Sequence, residues 1–182
     1  MLIHNLTHQQ YLALVTNTIS KLEGLITQPK DLGDGEITIG YGYTFARDNN
    51  IALWTQAGIQ LNPEQTSILQ SIDSASDKNT KNLLATELQV TLTKEQATRL
   101  LEFTYLEYDT KLDTLGMPES NERVALLSIL YNLGKNSLPS MPTLVGAINN
   151  GNRVEAWFQI RYNTNGGNND QIKEGIAKRR FF

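Results

Sequence analysis

The chain has 182 residues, of which 40% are hydrophobic and 19% charged, with no cysteine and a formal net charge of −3. A chain of that size can bury roughly two-thirds of its unfolded surface in one domain, while the missing cysteines exclude a disulfide framework and thiolate metal sites, and the net charge argues against general nucleic-acid binding. No apolar run approaches the ~20 residues of a membrane span, and the start MLIHNLTHQQ has no basic segment followed by an apolar core, so neither stable membrane insertion nor a secretory signal peptide is expected.

The first helix is announced by Thr7 with Gln10 three residues on, a capping box, followed by Tyr11, Leu14, Val15, Ile19 and Leu22 at helical spacing. Gly24 offers a stop, which leaves Glu23 at the helix end. The two histidines, His4 and His8, are spaced for one helix face, but no acid lies between them, and the spacing reads as a solvated N-terminus with no metal site. Pro29, Gly33 and Gly35 rule out helix and mark a turn, after which Glu36-Ile37-Thr38-Ile39 and Tyr41 to Tyr43 alternate as strands do. A small hairpin or meander within 25–45 follows.

Beyond Phe45 the sequence is polar and weakly periodic, with helices expected near Pro63–Ile72 and Asn79–Leu88 and a loop at SASDKN. A second capping box, Thr93 with Gln96, opens LTKEQATRLLEFTYLEYDTKL, whose Leu100, Leu101, Thr104, Tyr105 and Tyr108 line one face of a long helix. Ser120 caps the next helix, with Val124, Leu127, Leu130 and Tyr131 inward and Gly134 as its end. Pro142 sits in a first turn, Gly151 is a stop, and Asn152 with Glu155 caps NRVEAWFQIRYN. TNGGNNDQ reads as loop, and Trp54 and Trp157 as core residues. The sum is a mainly helical α+β chain. From Ser120 onward there are eight basic and four acidic residues, so the first 119 carry the opposite excess, about seven negative charges. Such a split suits an acidic part facing a basic part across a cleft, and equally two ordinary solvated surfaces.

Cleavage of a glycosidic bond needs a protonated carboxyl near the leaving oxygen and a second carboxylate for water or the anomeric carbon. A helix-end glutamate and a turn aspartate are such a pair when their surroundings differ. In this chain Glu23-Gly24 is followed, fifteen residues after Glu23, by Thr38 in Thr38-Ile39-Gly40-Tyr41-Gly42. This resembles the active-site signature of the T-even phage lysozyme family, glycoside hydrolase family twenty-four. LTKEQATRLL, RVALLSILYNLG, AWFQIRYN and GIAKRR resemble later segments of the family in the same order.

The resemblance implies a single lysozyme-like domain over 1–182: a small β-hairpin lobe at about 22–92, carrying an insertion at about 46–88, and a helical lobe at about 93–182 with the N-terminal helix at about 7–23, the lobes joined by a long helix. It implies a muramidase that cuts peptidoglycan between N-acetylmuramic acid and N-acetylglucosamine, with inversion and without cofactor or metal. Glu23 would be the general acid, Asp31 or its rival Asp34 the second carboxylate, and Thr38 the residue that places the attacking water. The family's usual spacing lands on Leu32, so Asp31 requires a compensated shift in the turn, and the plain reading of either aspartate is a turn residue bonding its own backbone. Tyr131, Asn132, Arg161 and Tyr162 would line the cleft, or else pack on their helices, Asn132 as a buried, satisfied asparagine. Arg179 or Arg180 would pair with Glu23.

Tyr43 stands where many relatives carry histidine, the charge is acidic where many are basic, and the chain stops at AKRRFF where relatives run on. The expected partner is bacterial peptidoglycan, acted on by a monomer made in the cytoplasm and released or delivered to the periplasm or cell wall. That setting fits a phage endolysin or an antibacterial effector, the second with an immunity protein as partner. Alternatives are a peptidoglycan-binding module without turnover and a lytic transglycosylase that needs Glu23 alone. Calcium binding by DLGDGE lacks the ligand spacing of a helix–loop–helix site.

Overall fold

A computed structural model describes residues 3–163. The expected loop at TNGGNNDQ and the segment GIAKRR lie outside the described residues. The chain divides into two compact units, one formed by Glu23–Thr104 and the other by Met1–Leu22 with Tyr105–Phe182.

The first of these carries the sheet. Strand β1 (Ile26–Asp31) pairs antiparallel with β2 (Ile37–Gly40), which pairs with β3 (Tyr43–Thr44), in the order β1-β2-β3. β1 was not separately legible because Pro29 sits within it; as an outer strand it tolerates proline, and its register shifts between Ile26 and Lys30. β2 is buried along its whole length. The stretch after Phe45 folds as three helices, α2 (Asn50–Gln56), α3 (Pro63–Ser74) and α4 (Lys78–Glu87). α3 and α4 match the periodicity, and α3 has its own capping box of Asn62 and Gln65. α2 has no side-chain cap from Asn49. Its first N–H groups, at Asn50 and Ile51, donate instead to the Asp73 carboxylate on α3 at 2.8 and 3.0 Å.

Fully buried Asn50 also donates to Asp73 at 2.7 Å and to the Arg47 carbonyl at 2.9 Å, and accepts from the Tyr43 hydroxyl. Tyr43 thus belongs to the core of this unit, its ring edge-on to Phe45 and to Trp54 with centroids 5.5 and 6.1 Å away. Trp54 packs inside as expected, and its indole N–H is a buried donor without a partner among the described residues. The capping box of Thr93 and Gln96 forms in both directions, at 2.9 and 3.2 Å. The helix it starts is shorter than the pattern implied: α5 (Lys94–Thr104) and α6 (Leu106–Leu112) are separate, with Tyr105 between them in helical dihedral angles, φ −65° and ψ −23°. Periodicity alone does not register such a break, because the apolar phase continues through it. α5 belongs to the sheet-bearing unit and α6 to the other.

The second unit is helical. α1 (His8–Glu23) starts with Thr7 N–H donating to Gln10 at 2.9 Å and buries Tyr11, Val15 and Ile19. α7 (Asn121–Leu133) is capped by Ser120, which accepts from Arg123 N–H at 3.2 Å, and buries Val124, Leu127, Leu130 and Tyr131 as its spacing predicts. α8 (Pro142–Asn149) and α9 (Arg153–Phe158) follow, the latter continuing into a π-helical turn at Gln159–Asn163. Trp157 departs from expectation: it is 53% exposed, because α9 turns Ala156 inward and leaves Val154, Trp157 and Phe158 outward. His8 is exposed, and its Nδ1 lies 2.6 Å from Glu119 Oε1, beside a backbone bond from Leu6 N–H to the Glu119 carbonyl at 2.8 Å. The N-terminal histidine is therefore a tie to the segment before α7.

At the centre of this unit Arg123 is 7% exposed and fully engaged. Its Nε and Nη2 donate to the two oxygens of Asp109, both at 2.9 Å, Nη2 donates to Asp113 at 2.7 Å, and Nη1 to the Met117 carbonyl at 2.8 Å. The Tyr11 hydroxyl donates to Asp109 as well. Burial works against the Arg123 charge, but the bonds to Asp109 and Asp113 more than offset it and raise its pKa. Burial, with the Asp109 carboxylate beside it, pushes the Tyr11 hydroxyl far above the ordinary tyrosine range. Among the described residues no helix is long and apolar enough to cross a membrane.

Candidate active site

Glu23 is the last residue of α1 and is half-buried. Gly24, at φ 71°, ends the helix in a conformation that glycine adopts at no steric cost, and β1 begins at Ile26. The helix end and the outer strand are thus joined by two residues, so Glu23 is anchored on regular structure at both sides.

Asp31 closes β1 and holds the turn that follows. Its Oδ1 accepts from the N–H groups of Gly33 at 2.7 Å and Gly35 at 3.2 Å. Asp34 Oδ1 accepts from Glu36 N–H at 3.0 Å. Both aspartates are exposed, and both satisfy backbone donors of their own turn, the ordinary work of a turn aspartate. Thr38 is 6% exposed and stands opposite Lys30 on β1 and Thr44 on β3. Alternation along a strand puts Thr38 on the face of Lys30, whereas Asp31, paired with Ile37, curls its side chain into the turn. Glu23, Asp31, Asp34 and Thr38 therefore all fall in the sheet-bearing unit, within one short run of chain.

A residue that the sequence reading passed over holds this turn from behind. Asn82, on the inner face of α4 and 8% exposed, accepts from Ile37 N–H at 3.2 Å and donates to the Gly35 carbonyl at 2.8 Å. Lys78, one helical turn earlier, pairs with Glu36. Lys78, Asn82 and Ala85 share a helix face by spacing, but nothing local to α4 says that its polar members meet a hairpin more than 40 residues away.

The other predicted residues belong to the helical unit. Tyr131 is buried against Tyr108, with ring centroids 4.9 Å apart. Asn132 is exposed on α7, which corrects its reading as a buried, satisfied asparagine. Arg161 lies over the Trp157 ring at 5.3 Å and the Tyr162 ring at 5.8 Å, so its guanidinium is stacked on its own helical segment. A groove of about 410 Å³ runs between α1 and α7, lined by Leu14, Lys21, Val124 and Ser128 among others, and holds none of the predicted site residues. Arg179 and Arg180, expected to pair with Glu23, lie outside the described residues. Among the described residues no cluster of three or more His, Asp or Glu side chains is placed to hold a metal ion.

The chain is similar to known proteins by sequence family and by structure. The family model described as phage lysozyme matches residues 20–181, a span that includes Glu23, both aspartates and Thr38. Among solved structures, the muramidase domain of SpmX from Asticaccaulis excentricus matches with a TM-score of 0.53 at 19% identity, covering 98% of this chain and 99% of that one. At that identity the likeness speaks for the fold alone, and it agrees with a mainly helical α+β architecture of the lysozyme type. No curated protein matches the chain.

Proposed function

The chain belongs to the phage lysozyme family, and from that premise we propose that it is a muramidase, hydrolysing the bond between N-acetylmuramic acid and N-acetylglucosamine in peptidoglycan. The observation that carries the reading is the placement of Glu23 on a helix end, two residues from the strand that delivers Asp31, all within the span matched by the family. In this reading Glu23 gives its proton to the leaving glycosidic oxygen. Asp31 acts as the second carboxylate, drawing a proton from water as that water attacks the anomeric carbon from the opposite side, with inversion. One Asp31 oxygen accepts from two glycine amides, which orients the carboxylate; in this reading the second oxygen takes the proton from water. Thr38 is assigned the water by the motif in which it stands.

The test is digestion of purified peptidoglycan by the wild type and by Glu23→Gln, with the soluble products weighed. Reducing muropeptides from the wild type and none from the variant are expected. Products lighter by one water would overturn hydrolysis in favour of a lytic transglycosylase. One observation favours a second reading, a wall-binding module without turnover: both turn aspartates are bonded to their own backbone. Co-sedimentation with the wall and no soluble products from either protein would establish that reading instead. Release of phage and delivery into a rival's wall use the same cleavage; a purified immunity protein that blocks it would identify the second.

A further inference from the structure

We propose that Asn82 is a positioning residue for this reaction, acting through Gly35 to set where the Asp31 carboxylate stands; the inference rests on the muramidase reading above. Three consecutive residues of the hairpin are gripped by α4: Gly35 through its carbonyl, Glu36 through its carboxylate and Ile37 through its N–H. Gly35 is held from the other side too, because its N–H donates to Asp31 Oδ1. A single residue, Gly35, at φ 77° and so dependent on glycine, is bonded through its carbonyl to Asn82 and through its N–H to Asp31. Ile37, whose N–H Asn82 accepts, is the strand partner of Asp31. The far side of the turn that starts at Asp31 is thereby referenced to one buried amide on α4, and Asp31 meets that side through Gly35 N–H and its pairing with Ile37.

Asn82 suits the task chemically. A primary amide offers an acceptor and donors on one rigid plane, and here one group satisfies Ile37 and the other Gly35. Removing it leaves a buried N–H and a carbonyl to find other partners, which they do by moving. Displacement of a reacting carboxylate by about an ångström costs up to about 100-fold in rate. Substrate binding along the wall polymer depends on many other contacts, so the loss belongs in kcat. In this way the inserted segment 46–88, otherwise remote from the chemistry, acquires a role in holding the carboxylate turn.

The experiment compares Asn82→Ala with wild type on purified peptidoglycan at 25 °C, measuring kcat and KM from reducing ends. Gln65→Ala serves as a control that loosens the cap of α3 in the same unit without touching the hairpin. We expect kcat to fall about 10- to 100-fold with KM within about twofold, Gln65→Ala to keep the wild-type kcat, and Asp31→Asn to be made no worse by adding Asn82→Ala, since coupled residues are not additive. Asn82→Gln keeps both groups of the amide one methylene further out; it supplies the same readout, with a smaller loss, if Asn82→Ala does not fold. A wild-type kcat in both Asn82 variants, or a loss that adds in full to that of Asp31→Asn, overturns the inference while leaving the muramidase reading intact. Absence of any turnover by the wild type overturns both.

Discussion

Asp109 in one unit and Asp31 and Asp34 in the other are held in different ways. In the helical unit Asp109 has both oxygens bonded to Arg123 and a further bond from Tyr11, in a site where the arginine is 7% exposed. In the sheet-bearing unit Asp31 and Asp34 are exposed and bond the amides of their own turn. A buried charge has to be matched by its neighbours, which makes it part of the architecture. An exposed carboxylate oriented by backbone amides keeps a face for a ligand. The useful distinction is therefore which partners an acid has, more than how many acids a region carries.

Substitutions on the two sides should separate cleanly, and the largest effect is expected at Glu23. Glu23→Gln should lower turnover of peptidoglycan by about 10³- to 10⁴-fold, at the upper range for a general acid, while its thermal midpoint stays near that of the wild type; a comparable loss of stability would blur the contrast. On the helical side Arg123→Ala should leave Asp109 buried and uncompensated and cost about 3–5 kcal/mol of stability, read from urea unfolding by circular dichroism. Turnover per folded molecule should be kept. Next in size, Asp31→Asn should cost about 10²-fold in kcat, whereas Asp34→Asn should stay within about threefold of wild type. The reverse order would transfer the second carboxylate to Asp34.

The smallest effect sharpens the helical side alone. Tyr11→Phe removes one bond to a charged acceptor and should cost about 1.5–3 kcal/mol near neutral pH. Tyr11 in the folded chain is raised above its ordinary value of 10.0 by burial and by Asp109. Its contribution is thus complete below pH 10.0 and is lost as pH climbs above that toward the folded value, because the unfolded chain releases the proton first. Thermal midpoints measured across that range should fall for the wild type and fall less for Tyr11→Phe.

What the sequence made legible was whatever is written locally. The capping boxes at Thr7 and Thr93 and the cap at Ser120 involve partners three residues away, and all three appear in the structure. Glu23 at a helix end and the strand carrying Thr38 follow from Gly24 and from alternation. Helix α2 escaped notice because its cap, Asp73, stands more than 20 residues further along the chain. Asn82 escaped for the same reason, with hairpin partners 45 and 47 residues away. Trp157 was assigned inward on size alone, and side-chain size does not say which face of a six-residue helix is covered.

The dependence of α2 on Asp73 has a consequence for the order in which the chain folds. A seven-residue helix without its own cap is too short to persist alone, so α2 must wait for α3 to present its carboxylate. Asn50, which that carboxylate also holds, in turn receives the hydroxyl of Tyr43 from β3. The amides of Asn50 and Ile51 should accordingly exchange with solvent in step with the α3 amides, opening as one cooperative block. Grafts or deletions that cut between α2 and α3 would strand the shorter helix, so the two have to be moved as one piece.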